Sequence, residues 1–325
     1  MSAIEMTDLT KQYGDVTAVS DLNLNIEHGE VFGFLGPNGA GKSTTINMLL
    51  DFIRPTSGSA TVLGYDAQTE TDQISQRVGV LPEGYDIYDR LTGRKHLEFA
   101  IQTKDADDDP DELLARVGLE QADADRPAGG YSKGMRQRLA TGMALVGDPE
   151  LLIMDEPSTG LDPTGIREMQ ELVQAESERG TTVFFSSHIL EHVEAVCDRI
   201  GILNQGELVA LDTLEGLRES LGDGATVTIA FSDPPSAAAE TVDSIAGVTD
   251  VTATGRRLEA SVTDPSSKAT VITELDALGA TITDIRIEET SLESLFATLV
   301  AEDETSDAGI ETQPQHTKVS SEVSQ

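Results

Sequence analysis

Eight consecutive residues, Gly36, Pro37, Asn38, Gly39, Ala40, Gly41, Lys42 and Ser43, follow the spacing G-x-x-x-x-G-K-[ST]. Glycines so placed let backbone N–H groups converge on an anion, and a helix opening at the end of the loop adds the positive end of its dipole. The chemistry implied is binding of a nucleoside triphosphate. Lys42 reaches the β and γ phosphates, Ser43 reaches Mg²⁺, and Thr44 joins the nucleotide-binding set. A second run, Leu151 to Met154 followed by Asp155 and Glu156, is an apolar strand ending in two adjacent carboxylates. At the carboxyl end of a parallel strand such a pair faces the ligand crevice, where Asp155 can hold Mg²⁺ through water and Glu156 can polarise an attacking water. Alone, the run could equally be a buried strand stopping at a solvated acidic turn; beside a phosphate loop, hydrolysis of ATP is the better reading.

These groups need strands to aim them. The pattern predicts strands over Ala3 to Leu9, Val19 to Ile26 and Val31 to Leu35, the last almost wholly apolar and so buried on both faces. A helix is predicted from about Ser43 to Ile53, stopped by Pro55 and Gly58. Further buried strands are predicted over Arg77 to Leu81, Leu151 to Met154, Thr182 to Ser186 and Ile200 to Leu203, with a helical insertion at about residues 84–148 that includes the acidic stretch Asp105 to Glu112. Gly222, Asp223 and Gly224 read as a linker. After it come a strand, a helix, two strands, a helix and a strand, the β-α-β-β-α-β order of a ferredoxin-like α+β unit over residues 225–301, closed by a helix at Leu292 to Val300. Residues 302–325 are acidic, without periodicity, and are expected to be disordered.

With 22 basic and 58 acidic residues the chain carries a formal net charge of −36. That balance argues against nucleic-acid binding, which needs basic surface to displace counterions. It suits a high-salt cytoplasm that screens the repulsion, and so a halophilic source. No apolar stretch is long enough to span a bilayer, and residues 1–10 lack the pattern of a signal peptide, so a cytoplasmic location is expected. A single cysteine, Cys197, falls in a stretch that reads as helical and apolar-periodic and is expected to be a buried small hydrophobe.

With the phosphate loop and paired carboxylates in place, residues from about Ile4 to Leu217 resemble the nucleotide-binding subunit of ATP-binding-cassette (ABC) transporters. The resemblance implies a RecA-like α/β core with an antiparallel β subdomain and a helical subdomain, all within residues 1–221. It implies that Tyr13 stacks on adenine, that Ser158 to Asp162 form the D-loop with Asp162 near nucleotide, and that His188 contacts the γ-phosphate. Tyr131, Ser132, Lys133, Gly134 and Met135 resemble the L-S-G-G-Q signature. Tyr131, Lys133 and Met135 depart from it, while Ser132 and Gly134, which would meet the ATP bound by the opposite subunit, are kept. This variant, and the ending Thr290 to Leu299, resemble the drug, antibiotic and sodium exporter branch. The same stretch is also readable as a loop capping a helix that begins near Met135.

Glu83 stands where the family commonly has glutamine; a carboxylate can ligate Mg²⁺ but cannot donate a hydrogen bond to the attacking water. Gly84 to Leu97 occupy the stretch that in the family forms the groove for a coupling helix. The resemblance thus implies ATP and Mg²⁺, a homodimer or a second ATPase subunit, and an integral membrane permease, with the chain peripheral on the inner face of the membrane. The alternatives are a soluble ABC-type ATPase of translation or DNA repair, an importer cassette, or another P-loop enzyme. The single phosphate loop and the lack of a sustained heptad between Lys42 and Asp155 speak against the first.

Overall fold

The structure is a computed structural model and describes residues 2–221, 225–233, 235, 237–289 and 296. The chain opens with strands β1 (Ser2–Tyr13) and β2 (Val16–Glu27), then β3 (Val31–Leu35), helix α1 (Lys42–Leu49), β4 (Ser57–Val62), β5 (Tyr65–Asp66), α2 (Thr71–Arg77) and β6 (Val78–Leu81). Four helices follow: α3 (Gly93–Lys104), α4 (Pro110–Arg116), α5 (Gln121–Ala124) and α6 (Lys133–Ala144). Then come β7 (Leu151–Met154), α7 (Pro163–Glu178), β8 (Thr182–Ser187), α8 (Leu190–Glu194), β9 (Arg199–Asn204), β10 (Glu207–Thr213) and α9 (Leu214–Leu221).

A six-stranded sheet has the order β10-β9-β3-β8-β7-β6, parallel except for its β10 edge. Inner strands β3 and β7 are apolar throughout, and β8 and β9 are almost wholly buried, because both faces of the sheet are covered. Side chains alternate across a strand, so β3 sends Phe32 and Phe34 into one apolar cluster and Val31 and Leu35 into the other. The first cluster lies toward an antiparallel sheet of order β2-β1-β4-β5 and α1, with Phe32 and Phe184 stacked at 5.9 Å. The second gathers α7, α8 and the helical segment. Gly33, between the two phenylalanines, lets α8 settle on β3: a methyl group there would overlap Val193 Cγ1. The helical segment is tied to α7 by Arg116, which donates to Glu176 Oε1 at 2.8 Å and Oε2 at 2.5 Å; Glu176 is only 1% exposed.

Residues from 225 on form β11 (Ala225–Phe231), α10 (Ala238–Asp243), β12 (Val248–Thr254), β13 (Arg257–Val262), α11 (Pro265–Ala277) and β14 (Ile282–Glu289). The sheet order is β12-β13-β11-β14, antiparallel throughout, over an apolar cluster of its own. This is the β-α-β-β-α-β succession predicted.

Several details differ from expectation. Helix α1 stops at Leu49 instead of Ile53, because Asp51 turns into the left-handed region at φ 53°. Helix α6 starts at Lys133, two residues before the predicted Met135, because the Ser132 hydroxyl accepts from Met135 N at 3.2 Å and so caps an earlier turn. Cys197 lies beyond the end of α8, in a turn closed by its N–H on Val193 O, though it is buried as expected. The acidic stretch Asp105 to Glu112 is partly punctuation: Asp105 ends α3 in the left-handed region and Asp109 caps α4. The predicted linker at 222–224, the closing helix and the tail lie outside the described residues, apart from Phe296, which packs against the cluster that holds Val31 and Leu35.

Candidate nucleotide-hydrolysis site

Strand β3 ends at Leu35, and Gly36 N donates to Ser187 O at 3.1 Å, joining the loop to the end of β8. A side chain at Gly36 would overlap the Leu203 carbonyl, and one at Gly41, at φ 108°, would overlap the Ala18 carbonyl. Glycine is therefore required at both, and the loop lies flat against its surroundings with its remaining N–H groups free to face an anion. Thr45 closes the first turn of α1 by donating from both N and Oγ1 to Gly41 O. Lys42 is 5% exposed and arches back over its own loop, donating to Gly36 O at 2.6 Å and Pro37 O at 3.2 Å.

The two carboxylates follow β7, and Asp155 N donates to Leu81 O at 2.9 Å. One hydroxyl organises both: Ser186 Oγ donates to Asp155 Oδ1 at 2.5 Å and accepts from Glu156 N at 2.9 Å. Glu156 sits at φ 50°, a conformation a non-glycine residue holds only under constraint, with both Asp155 and Glu156 buried. Its Oε2 accepts from His188 Nδ1 at 2.8 Å, which leaves Nε2 as the free ring nitrogen. Its Oε1 lies 3.2 Å from Lys42 Nζ as an ion pair yet receives no hydrogen bond. A buried carboxylate oxygen short of a donor is the acceptor that a water nucleophile needs.

A cavity of about 340 Å³ is lined by Asn38, Gly39, Gly41, Lys42, Ser43 and Thr44 of the loop and by Ala18, Glu83 and Glu156. A second, of about 300 Å³, adjoins the carboxylates and brings Glu83, Asp155 and Glu156 beside Lys133, Arg136 and Thr159. The structure thus gathers Lys42, Ser43, Thr44, Glu83 and Glu156 at one cleft, with Asp155 in the neighbouring one. Ser132, Gly134, Asp162 and Tyr13 line neither cavity. Tyr13, at the end of β1, is 49% exposed, with Lys11 Nζ 4.9 Å from its ring centroid. Sequence reasoning missed Ala18 and Ser186. Ser186 was available as a hydroxyl at the end of an apolar strand that neighbours β7, but nothing in the spacing says that it reaches Asp155.

Residues 19–159 match the profile of the ABC transporter family. The linearmycin-resistance ATP-binding protein LnrL of Bacillus subtilis (strain 168) is 35% identical over 304 residues, covering 91% of this chain and 97% of that protein. The chain belongs to the ABC transporter ATP-binding family. The daunorubicin/doxorubicin-resistance ATP-binding protein DrrA of Streptomyces peucetius is 34% identical, covering 91% of this chain and 92% of its own length. A solved ATP-binding subunit of an ABC transporter superposes with a TM-score of 0.61 at 29% identity, over 67% of this chain and 93% of its own. The chain is accordingly an ABC ATPase.

Proposed function

We propose that this ABC ATPase powers export through a separate membrane permease, with Glu156 as the group that polarises the attacking water and Lys42 as the ligand of the β and γ phosphates. The observation that carries the catalytic part is Glu156 itself: buried, held by Ser186 and His188, lining the phosphate-loop cleft, with one oxygen lacking a hydrogen-bond donor. Export is favoured because LnrL and DrrA, both matched over about nine-tenths of this chain, are named for resistance.

The donor set fits Mg²⁺, which is usually bound by one or two carboxylates together with substrate phosphates. Ser43, Asp155 and Glu83 would hold it, and it would supply positive charge against the phosphate oxygens. Gly36, Pro37, Asn38, Gly39, Ala40 and Gly41 would cradle the phosphates, His188 would contact the γ-phosphate through its Nε2, and Tyr13 would offer its exposed ring to the base. Ser132, Gly134 and Asp162 lie away from the chain's own cleft, which supports a second ATPase subunit, identical or not, whose nucleotide they would meet. In this reading residues 1–221 are the cassette, about 84–148 its helical subdomain, and 225–301 a second unit.

A groove of about 790 Å³ between the end of β6 and helices α3 and α6 is lined by Tyr85, Ile87, Phe99 and Met143, with Phe99 59% exposed; Tyr88, next along the chain from Ile87, is 71% exposed. Exposed aromatics at an apolar groove mark a docking site for a helix, and a permease segment is its proposed occupant. No described helix is long and apolar enough to cross a membrane; the permease would hold the chain to the inner face of the membrane.

The test is the Glu156→Gln protein, purified from host membranes in high salt with ATP. It should bind ATP, hydrolyse it at least about 100-fold more slowly than wild type, run as a dimer only with ATP, and bring a polytopic membrane protein with it. Hydrolysis at the wild-type rate would remove Glu156 from its role. Ribosomal or DNA-repair proteins in place of a permease would overturn the transport reading and leave the ATPase intact.

A further inference from the structure

The segment after β8 grips the segment after β7 at two points. His188 bonds Glu156, and four residues on, within α8, His192 turns its ring Nδ1 to Ser158 Oγ at 2.8 Å. Ser158 is 5% exposed and opens the loop 158–162. The far end of that loop is pinned separately, by Asp162 Oδ1 accepting from Gly165 N at 2.8 Å as the cap of α7. Between the pins Thr159 and Gly160 are exposed, and Gly160, at φ 72°, lies against the Lys133 side chain so closely that a Cβ there would overlap Lys133 Nζ. Lys133 is the residue after Ser132.

The contacts therefore run from the Glu156 carboxylate to the Ser132 segment of the same chain along one short loop; the backbone turn bonds from Thr159 N to Glu156 O and from Leu161 N to Ser158 O shape its near end, and the His192 bond is the side-chain contact that ties Ser158 to α8. Burial draws the His192 pKa below its ordinary value; the nearby Glu191 and Glu156 oppose this, and His188 adds to it. The ring is thus uncharged near neutral pH and suited to a hydroxyl partner rather than to an ion pair. Removing it would leave the Ser158 hydroxyl buried without this partner and the loop end free to shift.

We propose that His192 is a positioning residue for ATP hydrolysis: by holding Ser158 it sets the loop 158–162, and with it the geometry between Glu156 and the Lys133–Ser132 segment. The proposal rests on the reading of Ser132 as a contact to the ATP of a second subunit. Glu156→Gln sizing, which leaves His192 in place, tests that reading separately.

The experiment compares wild type, His192→Ala, His192→Asn, Ser158→Ala and the His192→Ala/Ser158→Ala pair. The full chain is assayed in high salt both alone and in the complex captured from membranes, with binding of a fluorescent ATP analogue as the control for a folded phosphate loop. His192→Ala should lower kcat about 10-fold, the size of a lost buried hydrogen bond, while analogue affinity stays within about 2-fold of wild type because the phosphate loop is untouched. Asparagine, whose side-chain amide can take the place of ring Nδ1, should recover most of the rate. The double variant should be no slower than His192→Ala, since both changes break one contact.

Wild-type kcat in His192→Ala, multiplicative losses in the double variant, or His192→Asn no better than alanine would each overturn the proposal while hydrolysis by wild type stands. A wild-type protein that hydrolyses no ATP in either form would overturn the ATPase reading and the proposal with it.

Discussion

Ser186 is the smallest group in the site with the widest reach. Its side chain is fully buried, and its one hydroxyl serves the Asp155 carboxylate as donor and the Glu156 backbone as acceptor. Alanine in its place leaves a buried carboxylate oxygen and a buried N–H without that partner, each expensive to leave unmade. The expected loss of stability is about 1 to 3 kcal/mol, readable as a lower denaturation midpoint. The expected loss in kcat is larger than stability alone would suggest, about 10- to 100-fold, because Glu156 is held at positive φ by contacts such as this one and a small displacement of a catalytic group is costly. ATP binding, which the proposal places on the Gly36–Ser43 loop, should change little. A Ser186→Ala protein with normal kcat would reduce Ser186 to filler and leave the conformation of Glu156 to the rest of the β7 turn.

Among the elements, the contact of α8 with β3 carries the most consequence, because the segment that presents His188 and His192 is set by how closely that helix approaches. Gly33 permits the approach; Val193, β-branched and fully buried, cannot rotate out of the way of an added methyl. Gly33→Ala should therefore cost about 1 to 3 kcal/mol through overpacking and lower Tm by about 2 to 4 °C for each of them, and Val193→Ala in the same chain should restore part of the loss. A Gly33→Ala melt identical to wild type would mean that α8 rides outward freely. The elements differ in how legible they are for the same physical reason. Strands β3 and β7 match their predicted bounds because a parallel strand covered on both faces is an unbroken apolar run between turn residues. Strand β4, half polar and mostly exposed, and β10, on the sheet edge, carry no such run and were not foreseen. The phosphate loop and the carboxylate pair announce themselves by local spacing. The bonds from Ser186 to Asp155 and from His192 to Ser158 join residues more than thirty positions apart, side by side only because β7 and β8 are neighbours in the sheet, and no local pattern encodes that.

At the scale of the whole molecule the surplus of acid decides how the protein responds to salt. Several of the basic side chains are already committed: Arg94 to Asp111 and Asp125, Arg116 to Asp148 and Glu176, Arg126 to Asp123, Arg136 to Asp89, Arg138 to Glu168 and Arg199 to Glu30. With 58 acidic residues against 22 basic ones, carboxylates outnumber the cations that could pair with them by more than two to one. Added salt therefore does two opposing things. It weakens exposed ion pairs worth about 0 to 1 kcal/mol each, and it screens a repulsion summed over many more like-charged neighbours as the Debye length falls from about 10 Å at 0.1 M to about 3 Å at 1 M. The buried pair of Arg116 with Glu176 is screened least, so the loss falls on the exposed pairs alone. Repulsion should win. We expect Tm to rise steadily as KCl is raised from 0.1 M to 2 M, and the ATP-dependent dimer of the Glu156→Gln protein to form at lower protein concentration in the higher salt, since association brings two strongly negative surfaces together. Both follow from melting curves and sizing at a series of salt concentrations. A Tm that falls with salt would show that the ion-pair network outweighs the repulsion.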